Sequence, residues 1–320
     1  MNDMHIKVNP LFSIHISTYN RLAALNITLE KSKNLLSDPR VECIICDDAS
    51  TDGTSEFIRS EYPEIILISH RVNKGLIYNR NLMLETTKAK YAISLDDDSY
   101  FLSNNVLTCI EDYFLLNEQV GLLACRILWS KENPKELVSA EKNERVQGFV
   151  GCGHVWRMKA WRTISNYPEW FVFYGEEQYG AYQLFKIGWE VHYVPSLFIK
   201  HCVDVKSRKV DDDYMLRMRR SLRAGWYLMF LFYPKRIYFR RFFYSLWIQF
   251  KTKIFKGNLK AFTALILALL DAIRHIPYYN KTNRISADEL AIFESLPKTK
   301  IYWEPYINDQ GTKNNLNKII

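Results

Sequence analysis

Four times between residues 12 and 99 a short apolar, β-branched run ends in a cluster of polar turn residues. Helix-like stretches separate the runs, and that alternation marks βαβ units, which build a mainly parallel sheet with helices on its faces. Strands are expected at 12–17, 41–46, 65–69, 91–95 and 120–124, and helices near 21–36, 54–61, 76–88 and 104–116. An open α/β sheet carries its ligand crevice at the carboxyl ends of the strands. The polar clusters TYNR, DDASTDGT, HRVNKG and DDDS directly follow the first four strands, so all four are expected on one rim.

The alternation fades near residue 125. Residues 126–204 carry Gly148, Gly151 and Gly153, then a helix-like stretch at 177–186 closed by Gly188, then a strand at 190–194. The charge divides the chain further. Its net +8 is not evenly spread, because 205–260 hold 15 Lys or Arg against 3 Asp, which leaves the remainder at −4. The expected organisation is a catalytic α/β domain over 1–204, with a nucleotide-binding half (1–125) and an acceptor-and-base half (126–204). A basic, helical region follows over 205–320.

The run YAISLDDDSYF sets Asp96, Asp97 and Asp98 at the end of an apolar strand. Three adjacent carboxylates repel one another, which water tolerates and a hard cation relieves. A solvated acidic loop and a divalent-metal site facing a diphosphate are both open on this motif alone. A second acidic run, Asp211 to Asp213, follows no apolar strand and suits a helix start, where carboxylates meet free amides and the positive end of the dipole. The loop DDASTDGT offers acceptors to a heterocycle or ribose, while Thr51 or Thr54 taken singly reads as a cap for the next helix.

Together these elements resemble glycosyltransferase family 2 of the GT-A fold. The matching pieces are TYNR at 18–21, DDASTDGT at 47–54, NKG at 73–75, RN at 80–81, LDDDS at 95–99 and GEEQ at 175–178, followed by Gly188, Pro195 and His201. They span roughly residues 12 to 202. The resemblance implies an α/β GT-A fold and an inverting transfer of one sugar from a nucleoside-diphosphate sugar to a hydroxyl of a glycan or lipid-linked acceptor. It implies that Thr18, Tyr19, Arg21, Asp47, Lys74, Arg80, Asp96 and Asp97 surround the donor nucleotide. Asp98 and His201 would hold a divalent metal, Mg²⁺ or Mn²⁺. Glu177, eleven residues before Gly188, resembles the general base, with Glu176 its rival. An Asp usual in that pair is Glu here, and Gln183 stands where a basic residue is frequent. His154 and Trp156 fall where the family places its acceptor-side strand. The chemistry fits these residue types, since a metal neutralises a diphosphate leaving group and a carboxylate takes the proton of an attacking hydroxyl. A nucleotidyltransferase would also use acidic loops and metal, but the Gly-rich phosphate loop it usually needs is not found.

Residues 214–230 read as a helix with Met215, Met218, Leu222, Trp226 and Met229 on one face and Arg219, Arg220 and Arg223 opposite. From Trp226 to Phe250, 12 of 25 residues are aromatic and interleave with Lys and Arg. Such a mixture suits a membrane interface, or else a helical subdomain packed on the core with its cations turned outward. An inactive, membrane-binding relative of a transferase is the non-enzymatic alternative. No nucleic-acid motif accompanies the basic segment, so no nucleic-acid partner is expected. No apolar stretch reaches the roughly 18 residues needed to span a bilayer. The opening MNDMHIKVNP lacks a signal-peptide pattern, and a QxxRW motif of processive enzymes is missing. Six cysteines lie scattered in apolar surroundings, and Cys43 and Cys46 occupy opposite faces of one strand. A cytoplasmic protein, peripheral on the inner face of the cell membrane, is the expectation.

Overall fold

The computed structural model describes residues 10–134, 137, 139–203, 213–280 and 283–298. The first part alternates as expected: β1 (Phe12–Thr18), α1 (Leu22–Leu36), β2 (Val41–Asp47), α2 (Thr54–Glu61), β3 (Ile66–Ser69), α3 (Leu76–Thr86) and β4 (Tyr91–Asp96). These strands pair in parallel in the order β3-β2-β1-β4. Their apolar runs are nearly continuous because helices cover both faces of the sheet. Ile14, Ile16 and Ile93 face a cluster with Leu25 and Leu29 of α1, whereas Ala92 faces a second cluster with Ile77 and Leu84 of α3.

Beyond β4 the sheet turns mixed. β5 (Ser99–Phe101), α4 (Val106–Leu116), β6 (Val120–Trp129), β7 (Glu144–Arg145), β8 (Gly153–Arg157), α5 (Met158–Trp161), α6 (Glu176–Lys186) and β9 (Glu190–His201) follow. Among the described residues the sheet has nine strands in the order β3-β2-β1-β4-β8-β6-β9-β5, with β7 on β9. β8 runs antiparallel between β4 and β6. β9 outlasts its expected end at residue 194. The register against β6 shifts between Cys125 and Arg126, so Val194 pairs with Cys125 and Phe198 with Arg126. Pro195 falls inside that irregularity, where a strand tolerates a residue without an amide hydrogen. The strand therefore continues to His201, which pairs with Ser99 of β5. That register sets His201 beside the three-carboxylate turn.

The last described part is helical: α7 (Tyr214–Phe232), α8 (Lys235–Thr252), α9 (Leu259–Arg274) and α10 (Ala287–Ser295). Trp226, Tyr227 and Phe232 of α7, Leu265 of α9 and Leu290 of α10 share one apolar cluster with Trp156 of β8 and Leu122 of β6. One core thus spans both sides of the expected boundary at residue 204, and Asp211 and Asp212 lie outside the described residues. The arginines of α7 differ from expectation. Arg219 and Arg223 turn inward and share Asp271 of α9, at 2.6 and 3.1 Å, because a buried carboxylate needs cations around it.

Candidate functional site

The strand order reverses direction at β1, whose neighbours are β2 on one side and β4 on the other. Loops leaving β1 and β4 must diverge there, which opens the crevice of a doubly wound sheet. Ser17 pairs with Asp96 and Thr18 with Asp47, so the three loops start level with one another.

The carboxylates each have a different setting. Thr18 donates its hydroxyl to Asp97 Oδ2 at 2.9 Å, and the Asp97 backbone oxygen accepts from Thr28 at 2.9 Å. Arg21 bridges the turn, its Nη2 at 2.5 Å from Asp98 Oδ2 and its Nε at 3.3 Å from Asp97 Oδ1. Burial lifts the Asp97 carboxyl to about 7, against the pull of Arg21. Asp98 goes the other way, down to about 2: burial would raise it, but its contacts with His201 and Arg21 prevail. Asp96 is the most open of the three, 29 % exposed.

His201 completes this pole. Its Nε2 lies 3.0 Å from Asp98 Oδ1 and 3.8 Å from Asp96 Oδ2. Two carboxylate oxygens and an imidazole nitrogen form a donor set suited to a divalent cation such as Mg²⁺ or Mn²⁺. Cys152 also comes close, since donor atoms of Asp96, Cys152 and His201 all lie within 4.8 Å of one another. Burial pushes its thiol well above the ordinary value.

A second pole is joined to the first by Arg80 of α3. Its Nη2 meets Asp96 Oδ1 at 3.1 Å and donates to the Gly151 carbonyl at 2.9 Å, while Nη1 meets Glu176 Oε1 at 2.7 Å. Glu176 and Glu177 open α6, where the helix dipole favours negative charge. Glu176 is buried in its pair with Arg80. Glu177 is half-buried and accepts the Gly151 amide at 3.2 Å. Burial raises the pKa of both carboxyls, and Arg80 restrains the rise.

The outer rim is held by turns of its own. Asp47 accepts from the Ser50 amide at 2.9 Å and from the Ser55 hydroxyl. Asp48, which sequence reasoning passed over, accepts the amides of Lys74 and Gly75 at 2.7 and 2.9 Å and ties the third loop to the second. Its signal was its place in DDASTDGT. Tyr19 and Lys74 project from this rim, both exposed. Thr54 does not cap α2; its hydroxyl donates to Asp52 instead, and Gly53 takes the cap position at a φ of 86°.

His154 and Trp156, expected on the acceptor side, are interior residues. Each is at most 1 % exposed, because β8 is covered on both faces by neighbouring elements. Gln183, at the site of a frequent cation, binds the backbone of Ser165 through its own amide at 3.0 and 2.9 Å. Gly151 and Cys152 are the residues that sequence reasoning underused. The glycines at 148, 151 and 153 were the available sign, and a Cβ on Gly151 would lie 2.7 Å from both Arg80 Nη1 and Glu177 Oε1.

Residues 13–166 match the family model described as glycosyl transferase family 2. The chain is 33 % identical over 111 residues to an Escherichia coli UDP-Glc:alpha-D-GlcNAc-diphosphoundecaprenol beta-1,3-glucosyltransferase, covering 34 % of this chain and 43 % of that one. It is 30 % identical over 178 residues to an Escherichia coli chondroitin synthase, covering 51 % of this chain and 25 % of that protein. The match therefore spans less than half the length of either relative. Among solved structures, a mannosyltransferase from Pyrobaculum calidifontis in complex with GDP-Man and Mn²⁺ superposes with a TM-score of 0.53 at 16 % identity, over 90 % of this chain and 79 % of that one. At that identity the likeness is one of fold.

Proposed function

Residues 13–166 form a family 2 glycosyltransferase domain on a GT-A fold, and from that premise we propose that the chain transfers one sugar, with inversion, from a nucleoside-diphosphate sugar to a hydroxyl of a glycan or lipid-linked acceptor. The observation that carries this reading is the Arg80 guanidinium, which contacts Asp96 on one side and Glu176 on the other. It keeps the cation-binding carboxylates and the acidic pair of α6 in one cleft.

In this reading Tyr19, Arg21, Asp47 and Lys74 line the nucleotide side, and Asp96, Asp98 and His201 hold a divalent cation. When bound, that cation neutralises charge on the departing diphosphate. Arg21 already sits on Asp97 and Asp98 as a positive counter-charge, so it moves aside or shares the carboxylates when donor enters. Glu177 is the base. It is more open than Glu176, one of whose oxygens is taken by Arg80, and its raised pKa suits a group that must accept a proton near neutrality. The acceptor oxygen attacks the anomeric carbon from the face opposite the diphosphate and passes its proton to Glu177. The carbon–oxygen bond to the diphosphate breaks, and the nucleoside diphosphate leaves with the electron pair.

A lipid-linked acceptor is supported by the Escherichia coli relative, whose name specifies a diphosphoundecaprenol substrate. Release of nucleoside diphosphate from a panel of UDP- and GDP-sugars with Mn²⁺ or Mg²⁺ tests the proposal. Turnover with one donor is expected. Absence of both donor binding and turnover across the panel would overturn it, and release of pyrophosphate would favour a nucleotidyltransferase.

A further inference from the structure

Helix α9 buries four alanines together with Leu265 and turns five other large apolar residues outward. Ala261, Ala264, Ala268 and Ala272 are buried, whereas Leu259, Phe262, Ile266, Leu270 and Ile273 are exposed, Leu259 by 77 % and Ile273 by 61 %. The exposed set recurs at three- and four-residue intervals, so it forms one stripe about 21 Å long. A helix bathed in water on its outer face has the reverse preference, with large aliphatic groups inside.

Helix α8 continues the pattern. Phe239, Phe243 and Trp247 are exposed at successive four-residue steps, and no residue of this 18-residue helix is fully buried. Trp247 meets Phe255 in the turn Ile254–Lys256, with ring centroids 6.2 Å apart, and Phe255 is itself exposed. Apolar surface on this scale marks a contact site.

Charge selects the occupant. From Tyr214 to Leu270 the chain contains no Asp or Glu. Lys235, Arg236, Arg240, Lys251, Lys256 and Lys260 are exposed, with no carboxylate partner among the described residues. A second copy meeting this face across a two-fold axis would bring like charges together. Anionic lipid offers phosphates to the cations and an acyl boundary to Phe, Trp, Leu and Ile. Among the described residues no helix is long and apolar enough to cross a membrane, so the stripe would lie along the surface.

We infer that α8, the turn after it and α9 form a docking surface for an anionic phospholipid bilayer. The surface adjoins the segment that leads into α6: Arg223 of α7 contacts Asp271 of α9 at 3.1 Å and donates to the Phe171 carbonyl at 2.8 Å. The inference rests on the helices alone and needs no step of sugar transfer.

Co-sedimentation of the full chain with phosphatidylcholine vesicles, with and without phosphatidylglycerol, tests it. Binding is expected to the anionic vesicles, weakening with salt. Lys256→Glu with Lys260→Glu should lower that binding roughly thirtyfold or more. Leu259→Gln with Ile266→Gln should also lower it, with unchanged circular dichroism and donor hydrolysis. Three results would overturn the inference: no sedimentation with either vesicle, binding that appears only after removal of residues 299–320, or a concentration-dependent oligomer abolished by the same substitutions while vesicles are ignored.

Discussion

Arg80 and Glu176 form an ion pair of 2.7 Å in which both side chains are almost fully withdrawn from water, 6 % and 4 % exposed. Isolated charges are too costly to bury, so each depends on the other, and Arg80 further depends on Asp96 and the Gly151 carbonyl. Removing one partner leaves the other uncompensated. Arg80→Ala is expected to lower stability by about 3–5 kcal/mol, read as the urea midpoint. A loss under about 1 kcal/mol would mean that the pair contributes little beyond an exposed bridge.

Glu177 should carry the proton. With Glu177→Gln, turnover is expected to fall on the order of 10²–10⁴-fold while donor affinity stays near that of the parent. Its carboxyl is raised by burial and restrained by Arg80, so the acid limb of kcat/KM should lie above the ordinary carboxylate value of 4.5. Arg80→Gln should move that limb higher still. Intact turnover in Glu177→Gln would shift the role to Glu176, whereas a pH–rate profile with no limb above 4.5 would exclude both raised carboxyls as the base.

Asp98 and His201 meet at 3.0 Å, and Asp98→Ala removes a negative donor from that pole. Donor affinity measured by calorimetry in Mn²⁺ should drop by at least the roughly tenfold to hundredfold typical of losing an outer partner of a metal ligand. Chelation of divalent ions should reproduce the loss in the parent and add nothing in the variant. If chelation weakens the variant as strongly as the parent, the cation sits elsewhere.

The buried His15 makes the protein sensitive to acid. Its pKa falls from 6.5 to about 3 because burial disfavours the charged ring, and Ser13 shares a 2.9 Å hydrogen bond with its Nε2. The unfolded chain then takes up the proton first. Stability is full above pH 6.5 and declines as pH falls toward 3, by about 2 kcal/mol at about pH 5 from this group alone. His15→Gln should flatten that part of a stability–pH curve measured by urea titration. An unchanged slope would assign it to other groups, the similarly depressed His154 first.

What could be read from the chain follows physical lines. β1, β2 and β4 were legible because strands buried on both faces carry continuous apolar runs, and their rim loops follow from sheet topology. β8 was not, since Gly153, His154 and Arg157 interrupt any such run and its antiparallel pairing between β4 and β6 is a tertiary fact. Pro195 hid the second half of β9, so His201 was found through family resemblance and not through periodicity. Arg223 looked like an outward cation because its partner, Asp271, lies 48 residues away. The clasp of Arg80 on Glu176 spans 96 residues and leaves no local trace at all.

Gly151 sets the spacing between the two poles. Its φ is not in the left-handed region, so conformational freedom is not what the position requires. Space is: an added Cβ would stand 2.7 Å from Arg80 Nη1, 2.8 Å from Arg80 Nη2 and 2.7 Å from Glu177 Oε1, inside contact distance of all three. Those atoms are the far ends of long side chains: Glu177 is half-buried and can swing away, and the guanidinium has to yield only a fraction of an ångström within its contacts to Glu176, Asp96 and the Gly151 carbonyl. The cost of Gly151→Ala should therefore appear in function ahead of stability. Thermal unfolding is expected to shift by less than about 1 kcal/mol equivalent. Turnover should fall on the order of 10²-fold, because an ångström-scale displacement of a positioned base is enough for that loss. Donor affinity, which depends on the rim loops and on Asp98, should hold. A variant that loses stability and donor binding together would show that Gly151 supports the fold, whereas one with parental turnover would show that Glu177 keeps its reach despite the methyl group.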